Sequence, residues 1–387
     1  MKIQTLVKGV LVTVQLMTAV AAEDEKCARL RRQLGPESTL VARREAAQGL
    51  GELGPAAAAA IPELTKAMAT DPDPAVRHHS AWALGKIKEP SETIIPALVD
   101  ALDDEFWSVQ HNAMLSLTWI GKPAVPALRA VIDKSNELQS VNALQALGGI
   151  EGKLSDAHVA LVADFVSSED PRVATLAVGL AGVLGEEARL SVPGLVRLID
   201  AEDPSMRRLA IKSLGSMGGP AEAAIPKLIE VLKGDKDYWN KVEAALSLGS
   251  VAKSHPEAVQ ALIAALNDKK NRVRSYATDA LGMIGAPAVV PLKEILDSGD
   301  VRTRRHAVQA LGAMKTEAKD AVDALIACLD DPEESIRSAA AYSLGSIGES
   351  QEKVTSALER AREREAEGAP VRAHIELALS MLGTKKP

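Results

Sequence analysis

Aromatic residues are scarce in this chain of 387: two Phe, three Tyr and four Trp. A large globular core needs such side chains to fill its volume, and one core seldom grows to this length. The shortage therefore excludes a single big hydrophobic centre and favours thin layers packed with Ala, Leu, Val and Ile. Cysteine is nearly missing as well, since Cys27 and Cys328 are too few for a disulfide framework. There is no basic excess: the formal net charge is −7 and the pI about 5.7, which argues against a nucleic-acid partner. No stretch reaches the run of about 18 uncharged apolar residues that a membrane span requires. Catalytic signatures are absent too: no G-x-S-x-G, no phosphate-binding Gly-rich loop, no H-E-x-x-H and no paired C-x-x-C. The expectation is a non-enzyme with no cofactor and no metal site.

Residues 1–22 have the pattern of a secretory signal. Lys2 and Lys8 supply positive charge, residues 9–20 are apolar but too short to cross a membrane, and Ala19-Val20-Ala21 is a small-x-small cleavage site. The reading is an exported protein, periplasmic or extracellular, with no membrane span after cleavage. An uncleaved tail or weak anchor is the alternative. Cys27, near the mature N-terminus, is expected as a free thiol or an intermolecular bridge. Cys328 shares a column with Val131 and Val231 and is expected in the core.

What the chain has in abundance is repetition. The phrase A-x-x-small-L-G-x-φ-G, with φ apolar, recurs with its anchor at Leu50, Leu84, Leu117, Leu147, Ala181, Leu214, Leu248, Leu281, Leu311, Leu344 and Leu379. The spacings run from 30 to 35 residues and average 32.9, a period that marks a repeat architecture. Four residues before the anchor stands Ala in nine of eleven repeats, which lets helices approach closely. Four residues after it stands Gly in seven, a helix stop that tolerates the left-handed conformation. Asp73-Pro74, Asp170-Pro171 and Asp203-Pro204 fit Asp at the N-cap and Pro at the first helical position. A second helix follows each phrase, with Pro62, Pro96, Pro126, Pro193 and Pro226 sharing one first-turn column. Each unit is thus a helical hairpin that buries its apolar faces only by stacking on its neighbours.

The pattern P-x-L-φ-x-x-L, then Asp, then V-R-x-x-A-x-x-A-L-G-x-φ-G resembles the HEAT repeat, and within it the bilin-lyase (phycobilisome lyase) subtype. The resemblance implies an all-α, right-handed α-solenoid of about eleven hairpins over residues 36–383. Residues 23–35 would cap the N-terminal end and 384–387 form a tail. HEAT-like metal hydroxylases carry His-Glu pairs, and this chain has none. An architecture of this kind hosts many activities. Two functional readings follow: a non-enzymatic protein–protein interaction scaffold, or a lyase- or chaperone-like protein acting on a protein-bound cofactor.

A basic residue recurs on the core-facing side of the Leu-Gly helices. Its column holds Arg43, Arg77, Arg207, Lys241, Arg274, Arg304, Arg337 and Arg372. A buried charge without a partner costs several kcal/mol, so a carboxylate is implied. Asp71, Asp235, Asp268 and Asp331 lie six residues before Arg77, Lys241, Arg274 and Arg337. In HEAT proteins such residues form a ladder between repeats. Here the ladder lapses in the middle, where Gln110, Ser140 and Ala174 replace the basic residue and Lys134 and Ser168 the carboxylate. Stacking there should rest on apolar contacts alone, making residues 134–185 the expected joint.

Helices of this kind line the concave surface in HEAT solenoids. Their outward columns hold two candidate sites for a protein or peptide partner. One is His78, His79, Trp82, His111 and Trp119; the other is Tyr276, Arg305, His306 and Tyr342. Exposed aromatics and Arg are typical interface anchors. Trp82 and Trp119 equally fit a second role, folded over inter-helix grooves as packing. A metal site is disfavoured, because adjacent His78 and His79 should point apart on a helix and no carboxylate completes the set.

Overall fold

The computed structural model describes residues 21–89, 92–132, 136–151, 153–348 and 352–383. Residues 1–20 of the signal-like segment, Lys134 and the tail 384–387 lie outside that set. All regular structure among the described residues is helical.

The chain divides into two compact units at Ala177/Val178. Unit 1 comprises α1 (21–33), α2 (Leu40–Leu53), α3 (Ile61–Thr70), α4 (Pro74–Ile87), α5 (Ile94–Asp100), α6 (Trp107–Ile120), α7 (Val125–Ala130), α8 (Glu137–Glu151) and α9 (Asp156–Phe165). Helix α10 (Pro171–Leu184) carries the division. Unit 2 continues with α11 (Val192–Leu198), α12 (Pro204–Met217), α13 (Ile225–Gly234), α14 (Tyr238–Val251), α15 (Pro256–Ala265), α16 (Asn271–Ile284), α17 (Val289–Ser298), α18 (Val301–Ala313), α19 (Val322–Ala327), α20 (Glu334–Ile347), α21 (Glu352–Arg364) and α22 (Pro370–Gly383). Even-numbered helices from α2 carry the Leu-Gly phrase, and odd-numbered ones from α3 are their hairpin partners. Within each unit the fold is an α-solenoid. Even helices pack on the next even helix and on the odd helix before them, as in α2 on α4, α4 on α6 and α12 on α14.

The columns explain this packing. The Ala four residues before each anchor is buried without residual exposure in all nine repeats that carry it, from Ala46 to Ala340. Asp73 accepts from the amides of Ala75 and Val76, and Asp203 from that of Ser205, so both cap as expected. The break before the second helix is itself structured in several repeats, as 3-10 turns such as Gly54–Ala60, Gly219–Ala224 and Lys315–Ala321. Helix α1 buries Cys27 and Leu30, and the turn after it buries Leu34. Cys27 is therefore not available for an intermolecular bridge. Cys328 is also buried, and both thiols are free.

The stop column divides into two backbone classes. Gly54, Gly121, Gly218 and Gly285 have φ from 55° to 79° with ψ from −130° to −140°, a region open essentially to glycine alone. Gly348 and Lys88 instead adopt the ordinary left-handed conformation, with ψ of 23° at both. Substitutions should separate the classes. Lys88→Gly is expected to raise stability by about 0.5–1 kcal/mol, because it relieves a left-handed L-residue. Gly121→Ala, whose added Cβ meets nothing within 4 Å, should cost about 1–3 kcal/mol from backbone strain alone. Thermal melts of the two variants check the contrast.

The basic column forms a ladder, and its rungs run forward. Arg43 bonds Asp71 (2.7 Å), Arg77 bonds Asp104 (2.8 Å), Arg207 bonds Asp235 (3.1 Å), Lys241 bonds Asp268 (3.0 Å), Arg304 bonds Asp331 (3.0 Å) and Arg337 bonds Glu365 (2.6 Å). The carboxylate six residues upstream is not the partner of that Arg. Its main-chain carbonyl is: Arg77 donates to the Asp71 carbonyl (2.9 Å), Arg274 to that of Asp268 (2.8 Å) and Arg337 to that of Asp331 (3.0 Å). Asp71, Asp268 and Asp331 thus bind the preceding repeat with their side chains and their own repeat with their backbones. Among the described residues Arg274 has no forward carboxylate, and it donates to Asn271 instead (2.8 Å). Glu365, from the charged run 361–365 that reads as a solvated face, is the last forward rung.

The middle of the ladder is not purely apolar. Gln110 and Asn142 are buried, and their amides donate to the Asp104 carbonyl and to the Leu102 carbonyl (2.8 Å). The Ser140 hydroxyl donates to Val131 (3.2 Å), and Ser168 bonds Glu137. Hydrogen bonds from amide and hydroxyl groups replace the ion pairs there. The division between the two units falls inside the stretch where the charges lapse.

Candidate functional site

The outward columns ride on even helices held by these contacts, so their side chains sit on a rigid backing. In unit 1, α4 presents His78, His79, Trp82 and Lys86, and α6 presents Phe106 from the turn before it, Trp107, His111 and Trp119. His78 and His79 do not point apart: their ring centroids are 4.2 Å from each other. Burial pushes both imidazoles below their usual value, with the Arg44 guanidinium lowering both and His78 adding to the effect on His79. No cluster of three metal-ligating side chains exists among the described residues. Arg44 itself pairs with Asp73, and that bond together with the α4 amides holds the Asp73 carboxyl at about 2.

The two Trp of the first predicted patch have different roles. Trp82 lies over Gly51 of the preceding repeat, where a Cβ would collide with the indole. It is packing. Trp119 is 38% exposed, and the Lys86 ammonium lies 4.8 Å from its ring centroid and 5.7 Å from that of Trp82, a cation–π pair of contacts. His111 stacks on Trp107 at 4.8 Å. Trp107 is 62% exposed and Phe106 42% exposed.

The second predicted patch does not come together as drawn. His306 is not on the surface: it is buried in α18 with Nδ1 3.1 Å from the Thr278 hydroxyl of α16. Burial, with the Arg305, Arg274 and Arg302 guanidiniums, pushes its imidazole down to about 4. Tyr276 is half-buried. Tyr342 is 48% exposed and meets His374 edge-on at 6.5 Å. Arg305 is half-buried and lines a cavity beside Arg302.

Sequence reasoning missed a row one turn nearer the helix N-termini. There Trp239 carries the Arg272 guanidinium 4.8 Å from its ring centroid, and Tyr238 the Lys270 ammonium at 5.6 Å. Trp107 belongs to the same end of α6. The signal was present nine and ten residues before each anchor, beyond the columns taken as outward. Of all the aromatic side chains only Phe165 is fully buried.

Comparison with known proteins agrees with this architecture. A family model for HEAT repeats matches residues 28–95, 159–237, 225–302 and 289–380. Among solved structures, a mutant of the karyopherin Kap121p superposes with a TM-score of 0.56 at 15% identity, over 93% of this chain and 41% of that one. Importin beta gives a TM-score of 0.49 at 15% identity, over 92% of this chain and 59% of its own. The chain thus spans about half the length of the structures it resembles, and the likeness is one of fold. No curated protein matches it in sequence.

Proposed function

Because this chain belongs to the HEAT-repeat family, we propose that it is a non-enzymatic protein-interaction scaffold, exported from the cytoplasm, that grips a protein or peptide partner along the outward columns of its even helices. The carrying observation is the placement of its aromatics. Phe106, Trp107, Trp119 and Tyr342 are exposed in a chain whose core contains almost none. Large rigid rings on a preformed surface are the residues that dominate binding energy when a partner covers them. Export rests on the charge, apolar run and small-x-small site of residues 1–22. The likeness of the repeat phrase to bilin lyases supports the second reading, a lyase- or chaperone-like protein acting on a protein-bound cofactor.

One purification distinguishes these. Tagged full-length chain from the extracytoplasmic fraction is expected to retain a partner through size exclusion. Trp107→Ala with Trp119→Ala should reduce the recovered partner at least about tenfold while leaving the melting temperature unchanged, because both rings are exposed. Undiminished recovery with the double variant removes this surface from the proposal. Recovery of the chain only from cytoplasm removes export, and a pigment or metal in stoichiometric amount favours the second reading.

A further inference from the structure

In unit 2 the row nearest the helix N-termini runs Trp239, Arg272, Arg302 and Ser335 on α14, α16, α18 and α20, and Arg305 lies one turn along from Arg302. The same row in unit 1 is Val41, Ala75, Ser108, Leu138 and Arg172, and Arg172 is engaged by Asp170 at 2.7 Å, so the basic residues of the row without an ion pair belong to unit 2. Lys269, Lys270, Arg272, Arg302 and Arg305 form no ion pair among the described residues. Arg302 and Arg305 line a cavity of about 520 Å³ with Asn267, Val301, Ser335 and Asp300. Asp300 is its only carboxylate, and both its oxygens are engaged locally, by the Arg302 and Thr303 amides and the Thr303 hydroxyl.

We propose that this row binds an extended acidic peptide segment of a partner protein, with carboxylates on Arg272, Arg302 and Arg305 and Trp239 at one end. The proposal rests on the scaffold reading above and names the partner's chemistry at a second place on the surface. Unpaired guanidiniums clustered on a chain of net charge −7 are a local reversal of sign, and guanidinium forks bind carboxylates bidentately. Neighbouring helices stand about 8–10 Å apart, while an extended chain advances about 3.3 Å per residue. Carboxylates about three residues apart therefore match Arg272 and Arg302 in register. Nucleic acid fits less well. The row is short, bounded by Asp237 on one side and Glu333 and Glu334 on the other, and the acidic remainder of the chain repels a phosphate backbone.

The test uses the full chain and a fluorescein-labelled Gly-Ser peptide with glutamate at every third position. Fluorescence anisotropy at low salt should show binding that weakens as salt rises. Arg302→Glu with Arg305→Glu should weaken it about tenfold or more, as should a peptide with Gln in place of Glu. Arg272→Gln with Arg302→Gln, which adds no new carboxylate, should also lose affinity. Lys233→Glu with Lys319→Glu makes the same net change elsewhere and should stay within about twofold. No binding to the wild type, equal loss in that control, or tighter binding to a single-stranded RNA of equal charge would overturn the proposal. A partner that still copurifies in that event leaves the scaffold reading standing while this row falls.

Discussion

Arg77→Ala is expected to destabilise unit 1 by about 3 kcal/mol, the low end of the range for breaking a buried ion pair. The guanidinium makes two bonds to the Asp104 carboxylate, at 2.8 and 3.0 Å, and a third to the Asp71 carbonyl at 2.9 Å. It also lies 5.3 Å from the Phe106 ring centroid. Truncation strands a carboxylate that is nearly buried and leaves the Asp71 carbonyl without that donor. Asp104 keeps the Phe106 amide (2.9 Å) and a narrow edge of solvent, which limits the loss. Arg274→Ala should cost only about 1 kcal/mol, because no forward carboxylate is stranded and only hydrogen bonds to neutral groups disappear. Arg77→Met with Asp104→Leu should recover part of the first loss. Hydrogen exchange read repeat by repeat measures all three. Equal effects of Arg77→Ala and Arg274→Ala would show that the forward rungs do not hold the stack.

The second large effect is expected at Gly85. Gly85→Val should cost about 3 kcal/mol or more by overpacking, because its Cβ would collide with the hydroxyl, Cβ and Cα of Ser116 on the next even helix. A rotamer change cannot clear a backbone atom. The same close approach brings the Ser116 hydroxyl 2.8 Å from the Ala81 carbonyl. The device recurs: Ser213, Ser247 and Ser343 donate to Val178, Ile211 and Val308 at 2.8 to 2.9 Å, opposite Gly182, Gly215 and Gly312. Gly148 occupies the same column, yet an added Cβ there meets nothing closer than 3.9 Å. Gly148→Ala should therefore gain about 0.5–1 kcal/mol from helix propensity. Urea unfolding followed by tryptophan fluorescence is suited to Gly85→Val, since Trp82, Trp107 and Trp119 all lie in unit 1. A mild effect at Gly85, or a large one at Gly148, would contradict the packing described.

Much of the fold is legible in the sequence, and much of the candidate site is not. The period near 33 residues, the capping Asp73 and Asp203 and the Gly stops are short-range facts. They depend on helical periodicity and on hydrogen bonds between residues a few positions apart. The need for a carboxylate opposite Arg77 is legible too, from the cost of a buried charge. Which carboxylate is not: Asp71 is near in sequence, but Asp104, 27 residues on, is near in space. His306 shows the same limit, since its column looks outward on a helical wheel while α16 closes over it and supplies Thr278. The exposed Trp107 and the Trp239–Arg272 pair lay outside the columns the wheel marked as outward.

The amino-acid sequence by itself determined that the chain builds two-helix modules, where the capped and Gly-stopped helices begin and end, and that the modules must stack to bury their faces. Tertiary structure alone decided which residues meet across the stack: the forward direction of the charged ladder, the Ser–Gly contacts, Trp82 as packing beside Trp119 as surface. The physical reason is distance. Caps and turns are set by bonds within a few residues, whereas contact between repeats depends on how closely whole helices approach, and no single repeat contains that separation.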